Sequence, residues 1–422
     1  MTLNYVCRKC GKAYSQQECS GNRFCASCGS FLVKQFIVPA CTDAEETLVK
    51  TKLENPKAGQ IRENPELKRA AENLRQRSET TKEYEVLSEP EKPANSGQSG
   101  SEGWLFESDY DQALKLKSDL TSKFEGKSLE EAIRGKVVSN EQGECYCVSE
   151  NHNVPFQNVS PQETRRRLLS DLKFLSGIGP AREKALKQQG YHTIEALAAH
   201  PKWRKSAGEF LRLVDSKDVP KLQRRLRRSL PKSHPLSHYL AGFCQDKDFA
   251  IVDIETLGLF GRPIILVGLA DVTKRGVRTR QFLVRDISEE ACALWEFTSR
   301  LGEGSAFVSF NGRCFDLPFI RERMAYYGLS SLDVFENPHF DVLHFARRAL
   351  GDKLANCRLE TVEKYMGIRR GVNIPGALVP EFYDSYQRSG NVGPLVAIVE
   401  HNKQDLVTLA QLFCSLYKEW NL

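Results

Sequence analysis

Apolar runs of strand length at 249–254, 263–272 and 277–285 are broken by polar, glycine-containing stretches at 258–262 and 274–276, and the pattern predicts an antiparallel meander. A helix over 288–301, a buried strand over 305–310 and mainly helices are predicted to follow. The last helix, about 394–418, carries Ile398, Leu409, Leu412 and Leu416 on one stripe. Upstream, Lys136-Val-Val-Ser and Cys145-Tyr-Cys-Val read as two strands around the turn Asn140-Glu-Gln-Gly143, after a short helix near 128–134. Leu168, Leu172 and Leu175 stand at helical spacing, as do Leu222, Leu226 and Leu230 in a run studded with arginines. Residues 43–103 are rich in Glu, Lys, Arg, Gln, Ser and Pro, with Tyr84 as their one aromatic, too little apolar surface to order a chain.

Length and charge sharpen this picture. The 422 residues suffice for about two to four domains. No apolar run approaches the roughly 18 residues of a membrane span, and the segment from Met1 to Cys7 has no secretory character, so a soluble cytoplasmic protein with no membrane partner is expected. Net charge is only +6, but residues 165–232 hold 18 Lys/Arg against 6 Asp/Glu. A basic segment in an otherwise acidic chain points to a polyanion partner.

The chemistry-bearing residues fall in three places. Cys7-Arg-Lys-Cys10-Gly and Cys25-Ala-Ser-Cys28-Gly form two Cys-x-x-Cys-Gly knuckles 14 residues apart, a spacing at which four thiolates close one structural Zn2+ site. A redox dithiol is the alternative. Cys145 and Cys147 share a strand face without a further ligand pair nearby and are read as buried thiols. Gly177-Ile178-Gly179 between two short helices leaves backbone amides uncovered, with Arg182, Lys184 and Lys187 beside them; it is either a phosphate-holding turn or an ordinary interhelical one.

The third place is the C-terminal half. Asp253 and Glu255 alternate with Ile254 in a buried-type strand and so share a face, where two like charges need compensation, best supplied by divalent metal ions; an edge strand with solvated acids is the alternative. Asp316, in Asn311-Gly-Arg-Cys-Phe-Asp-Leu-Pro318, either caps the helix that follows or joins those acids. Asp405 falls on the apolar stripe of the last helix with His401 one turn earlier, which is either a satisfied core histidine or part of a site. Asp341, in His-Phe-Asp-Val-Leu, reads as a helix N-cap, with a fifth ligand as the alternative.

Together, Asp-Ile-Glu-Thr, Asn-x-x-x-Phe-Asp-x-Pro and His-Asn-x-x-Asp resemble the three motifs of the DEDD exonuclease superfamily, and within it the YprB-like ribonuclease H-like family. The Arg-x-x-x-x-Pro-Gly segment from Arg370 to Gly376 is similar to that family as well, and Leu172 to Leu197 resembles a helix-hairpin-helix. The first 35 or so residues resemble a zinc ribbon. The implied architecture is α/β: a zinc ribbon at 1–40, a disordered polar linker at 41–103, a small strand-containing segment at 104–160, a basic helix-hairpin-helix region at 161–232, and a ribonuclease H-like mixed sheet flanked by helices at 236–422.

The resemblance implies that Asp253, Glu255, Asp316 and Asp405 bind two Mg2+ or Mn2+ ions and that His401 serves as general base. The histidine subgroup places its base five residues before the last Asp, whereas His401 stands four before it, the spacing of the tyrosine subgroup. It also implies a 3′-5′ exonuclease on single-stranded nucleic acid, DNA favoured and RNA open. The zinc ribbon would take nucleic acid or a protein partner. An exoribonuclease, a structure-selective endonuclease on the same site, and an inactive nucleic-acid-binding adaptor are the rival readings.

Overall fold

The computed structural model describes residues 104–258, 261–329 and 336–420, together with strands at 2–7, 13–15, 32–37 and 85–87. Two units are distinguished, at residues 1–60 and 61–422. In the first, β1 (Thr2–Cys7) pairs antiparallel with both β2 (Ala13–Ser15) and β3 (Leu32–Ile37). Cys10, Cys25 and Cys28, and the side chain of Cys7, lie outside the described residues.

The second unit begins with β4 (Glu85–Leu87) paired parallel to β5 (Trp104–Phe106), within and next to the stretch read as linker. Helices α1 (Glu107–Lys123) and α2 (Leu129–Ala132) follow, the latter closed by a Ser128/Glu131 capping box. Strands β6 (Gly135–Asn140) and β7 (Gly143–His152) form the expected hairpin. The basic segment then folds into α3 (Pro161–Ser170), α4 (Pro180–Gln188), α5 (Ile194–Leu197), α6 (Arg204–Asp215) and α7 (Val219–Leu226), joined through α8 (Pro235–Tyr239) to the C-terminal half. The continuous helix implied by Leu168, Leu172 and Leu175 breaks at Asp171, whose carboxylate accepts from the Lys173 amide and starts a separate 3-10 turn.

The C-terminal half supplies β8 (Phe249–Thr256), β9 (Ile264–Thr273), β10 (Gly276–Leu283), α9 (Glu290–Thr298), β11 (Ala306–Ser309), α10 (Asp316–Tyr326), β12 (His339–Asp341), α11 (Val342–Leu350), α12 (Leu359–Met366), α13 (Val379–Ser389) and α14 (Gly393–Glu419). One seven-stranded sheet runs in the order β12-β11-β8-β9-β10-β7-β6. The meander β8-β9-β10 is antiparallel, and β11 and β12 add parallel on its other side, which fits a ribonuclease H-like fold. The hairpin from the segment read as separate, 104–160, continues this sheet, because β7 pairs along the whole outer edge of β10. The physical reason is the edge itself: β10 would otherwise expose a row of unpaired backbone groups.

Helices α9 and α10 cover one face, burying Val252, Ile254, Phe282, Phe297 and Ile320. On the other face α14 packs against β8, β9 and β10. Its Leu409 and Phe413 belong to a cluster that also takes in Leu172, Phe210 and Leu222 of the basic segment. The basic helices and the sheet therefore share one core.

Candidate active site

Strand β8 carries Asp253 and Glu255 on the face toward α14, with a register shift between Glu255 and Thr256 where the strand leaves β9. A bulge of this kind re-aims the side chains next to it. On its other side β8 is paired only as far as Ile251, because β11 ends at Ser309. The uncovered Ile254 amide is answered by Asp316, whose Oδ1 accepts its hydrogen at 3.1 Å. Phe315, the N-cap residue of α10, makes no side-chain cap, and Asp316 follows as the first helical residue. Its carboxylate is spent on the strand that carries the other two acids.

The loop delivering Asp316 is held from β12. Asp341 occupies the N-cap position of α11, but the expected cap is absent: its carboxylate accepts instead from the amides of Asn311, at 2.9 Å, and Arg313, at 3.3 Å. Asn311 has φ +68, a left-handed conformation uncommon for a side-chain-bearing residue, and the Asp341 bond sustains it. Gly312 next to it admits the close approach of the loop, since a Cβ there would stand 2.5 Å from the Ser309 side chain and 3.0 Å from Asp316 Oδ2.

Helix α14 brings the remaining residues. Asn402, fully buried, donates from Nδ2 to Asp253 Oδ2 at 2.7 Å, and Gln281 Nε2 donates to Asn402 Oδ1 at 3.0 Å. His401 points Nε2 between Glu255 Oε1, at 3.9 Å, and Asp405 Oδ2, at 3.8 Å. Asp405 Oδ1 accepts from Arg370 Nη2 at 2.5 Å, while Nε of the same guanidinium pairs with Glu363. Glu363, on α12, is in turn held by the Thr408 hydroxyl at 2.5 Å.

Burial pushes both Asp253 and Glu255 well above the usual carboxylate range, and Asp405 and Asp316 push them further, as Glu255 does Asp253. Burial lowers the His401 imidazole; Asp405 opposes that and Arg370 reinforces it. Arg370 Nη1 lies 3.2 Å from His401 Nδ1, and a guanidinium only donates, so Nδ1 accepts and the proton of the neutral ring sits on Nε2, toward the carboxylates. In this arrangement the Nε2 hydrogen faces the acids, beyond hydrogen-bond distance, and His401 cannot take a proton there.

The structure thus brings together all five residues read from the sequence as the site, Asp253, Glu255, Asp316, His401 and Asp405. Among the described residues no three His, Cys, Asp or Glu side chains stand as a ready-made metal cage. The local reason is that Asp253, Asp316 and Asp405 each spend an oxygen on a protein donor: Asn402, the Ile254 amide and Arg370. The donor set nonetheless fits hard divalent cations, being buried oxygens whose mutual repulsion a bound cation would relieve. Sequence reasoning missed Asn402 as the holder of Asp253 and Glu363 as the anchor of Arg370. The signal for the first was a polar residue on the buried stripe of α14.

Of the residues read as phosphate contacts, Gly177 has φ +84 and Gly179 is the N-cap of α4 without a side-chain cap; Ile178 is buried against the basic-segment core. Arg182 is exposed and bonds the Gly177 carbonyl, Lys187 pairs with Glu183 at 2.9 Å, and Lys184 is exposed. Cys145 and Cys147 are buried free thiols, and the Cys145 thiol is pushed up by its hydrogen bond to Cys292 and by burial.

Residues 250–417 match the model of the RNase_H superfamily. Over 171 residues the chain is 32% identical to the "Uncharacterized protein YprB" of Bacillus subtilis (strain 168). That alignment covers 40% of this chain and 41% of the relative, so the chain spans about two fifths of the length of the curated protein it matches. The first supports a ribonuclease H-like reading of residues 250–417, and the second a YprB-like reading of the chain. No described helix is long and apolar enough to cross a membrane.

Proposed function

We propose that this protein is a metal-dependent nuclease, acting as a 3′-5′ exonuclease on single-stranded nucleic acid with DNA favoured over RNA. The observation that carries the reading is the convergence of Asp253, Glu255, Asp316 and Asp405, from three separate stretches of chain, onto one end of β8 inside a domain that matches the RNase_H superfamily. Oxygen ligands held this close suit Mg2+ or Mn2+, which these four residues would hold. When bound, the ions supply Lewis acidity to the scissile phosphodiester and to the water that attacks it.

The remaining residues keep the geometry. Asn402 fixes the rotamer of Asp253, the Ile254 amide fixes Asp316, and Asp341 fixes the loop between β11 and α10. His401 becomes a base toward the site once Arg370 withdraws from Nδ1, since the ring then carries its proton there and frees Nε2. The basic segment, with Gly177, Ile178, Gly179, Arg182, Lys184 and Lys187, would hold the polymer through its phosphates as a helix-hairpin-helix does. A structural Zn2+ on Cys7, Cys10, Cys25 and Cys28 would shape the N-terminal unit.

End-labelled single-stranded DNA and RNA, incubated with Mn2+ or with chelator, test the proposal. Stepwise shortening from the 3′ end, lost with chelator and in Asp253→Asn, is the expected result. Cleavage of end-blocked circles would instead make the protein an endonuclease. The hold of Arg370 on Asp405 favours one rival, an inactive nucleic-acid-binding adaptor; strand binding without hydrolysis at any Mn2+ concentration would establish it.

A further inference from the structure

At the carboxyl ends of β11 and β12, on the side of the basic helices, lies a small open recess lined by Gln223, Arg227, Lys232, Arg313, Asp341 and His344. Arg227 and Lys232 come from the end of α7 and the turn after it, and Arg313 from the loop that delivers Asp316. Among the described residues none of these three cations has a carboxylate within ion-pair distance. The acid in the recess, Asp341, gives its oxygens to the Asn311 and Arg313 amides. His344 adds a buried Nε2 that makes no hydrogen bond and stands 4.0 Å from Asp341 Oδ2.

Cations gathered this way repel. Burial, followed by Arg227, pushes the Arg313 guanidinium down to about 10. Burial lowers the His344 imidazole, with Lys232 and Arg313 contributing and Asp341 opposing. A fold bears such crowding where an anion completes the set. The floor is also fixed in place, because Gln223 Nε2, at 3.3 Å, and Arg313 Nη2, at 2.5 Å, both donate to the His339 carbonyl.

We propose that this recess binds one backbone phosphate of the nucleic-acid strand, setting the strand's position relative to the carboxylate cluster. The inference rests on the nuclease reading for the identity of the strand. The recess joins the basic segment to the loop of Asp316, so a phosphate seated there is held by both at once. A phosphodiester carries one negative charge in a compact tetrahedral group, which suits two guanidinium groups and an ammonium and makes no demand on base identity.

Binding of labelled single-stranded oligonucleotide to the full chain, measured in chelator across a range of salt, tests the recess without hydrolysis. Arg227→Gln with Lys232→Gln is expected to weaken binding by about tenfold or more and to lower the slope of log affinity against log salt by about 0.7, the share of one phosphate on a single strand. Removing the same charge by Lys274→Gln with Arg275→Gln, at the opposite end of the sheet, is the control and is expected to change the slope by less than half as much. Equal slopes for the two double variants overturn the proposal. So does calorimetric binding of inorganic phosphate that is lost in Arg227→Gln/Lys232→Gln while oligonucleotide affinity is kept, which would make the recess a free-phosphate site. Circular dichroism of each variant separates misfolding from lost contact, and the single Arg227→Gln, with an expected slope change of the same sign and no larger, serves if the double variant misfolds. Hydrolysis by the parent with Mn2+ is scored separately: a slope effect without hydrolysis sinks the nuclease reading alone, and hydrolysis without a slope effect sinks the recess alone.

Discussion

Asn402 reaches Asp253 through a gap that exists because residue 268 is glycine. Gly268 lies opposite Asp253 in the β8-β9 register, and a Cβ on it would stand 2.4 Å from Asn402 Oδ1 and 2.9 Å from the Asp253 carbonyl oxygen. Gly268→Ala should therefore push Asn402 off Asp253 and lower kcat by roughly 10²-fold while the fold is kept. Steady-state hydrolysis beside circular dichroism checks it; parent-like kcat would mean that Asn402 does not set the Asp253 rotamer.

The acid cluster also predicts a trade of stability for metal binding. Burial and mutual repulsion raise Asp253 and Glu255, so removing one charge relieves the metal-free protein. Asp253→Asn should melt higher than the parent in chelator, by about 2–4 °C for each kcal/mol of relieved repulsion, and should lose most of the rise that Mn2+ gives the parent. Scanning calorimetry with and without Mn2+ decides it.

Arg370 competes with any cation for Asp405. Replacing it with Gln leaves Glu363 with Thr408 alone and should cost the chelated protein about 3 kcal/mol, the scale of a broken buried pair. The same change should lower the Mn2+ concentration at which the melting temperature is half raised. A midpoint that stays put would show that Arg370 does not obstruct the site.

Helix α10, which carries Asp316, is pinned by Arg323, whose Nε and Nη2 donate to Glu290 at 2.7 and 2.6 Å with both side chains buried. Glu290 also accepts from the Ile264 amide at 2.9 Å. Arg323→Met should destabilise the protein by about 3–5 kcal/mol in urea unfolding, because it strands a buried carboxylate.

His238 sets a stability limit on the acid side. It is fully buried, stacked on Tyr417 at 4.0 Å, and accepts the Trp420 indole hydrogen at 2.9 Å; burial pushes its imidazole down to about 3. Its folded pKa lies below the unfolded one, so the unfolded chain binds the extra proton between about pH 6.5 and 3, and stability falls as pH falls through that window. The loss attributable to His238 is about 1.4 kcal/mol per pH unit. His238→Phe should flatten the dependence of the urea midpoint on pH between 6 and 4, whatever its cost at pH 7.

Much of this was legible in the residues. Strand alternation put Asp253 and Glu255 on one face, and the stripe of α14 put Asp405 beside them, since both are local periodicities. Asp316 was ambiguous because its partner, the Ile254 amide, is 62 positions away, and Asp341 was misread as a cap because its partners lie 30 and 28 positions before it. The hairpin β6-β7 was placed outside the domain for the same reason: what recruits it is the open edge of β10, a property of the assembled sheet. Arg370 stood out only as part of a motif, and its contacts with Asp405 and His401 span 35 and 31 positions.

The 27 residues of α14 run about 40 Å. At its start Gly393 seats against the Leu120 carbonyl so closely that a Cβ would stand 2.4 Å away, midway it presents Asn402 and Asp405, and at its far end Tyr417 and Trp420 clasp His238 beside the basic helices. A beam fixed at both ends has little freedom to slip, because a shift of one residue rotates every side chain by about 100° and would swing both polar groups off the strand. The end of α14 that meets the basic helices and the middle that holds Asn402 and Asp405 therefore move as parts of one helix.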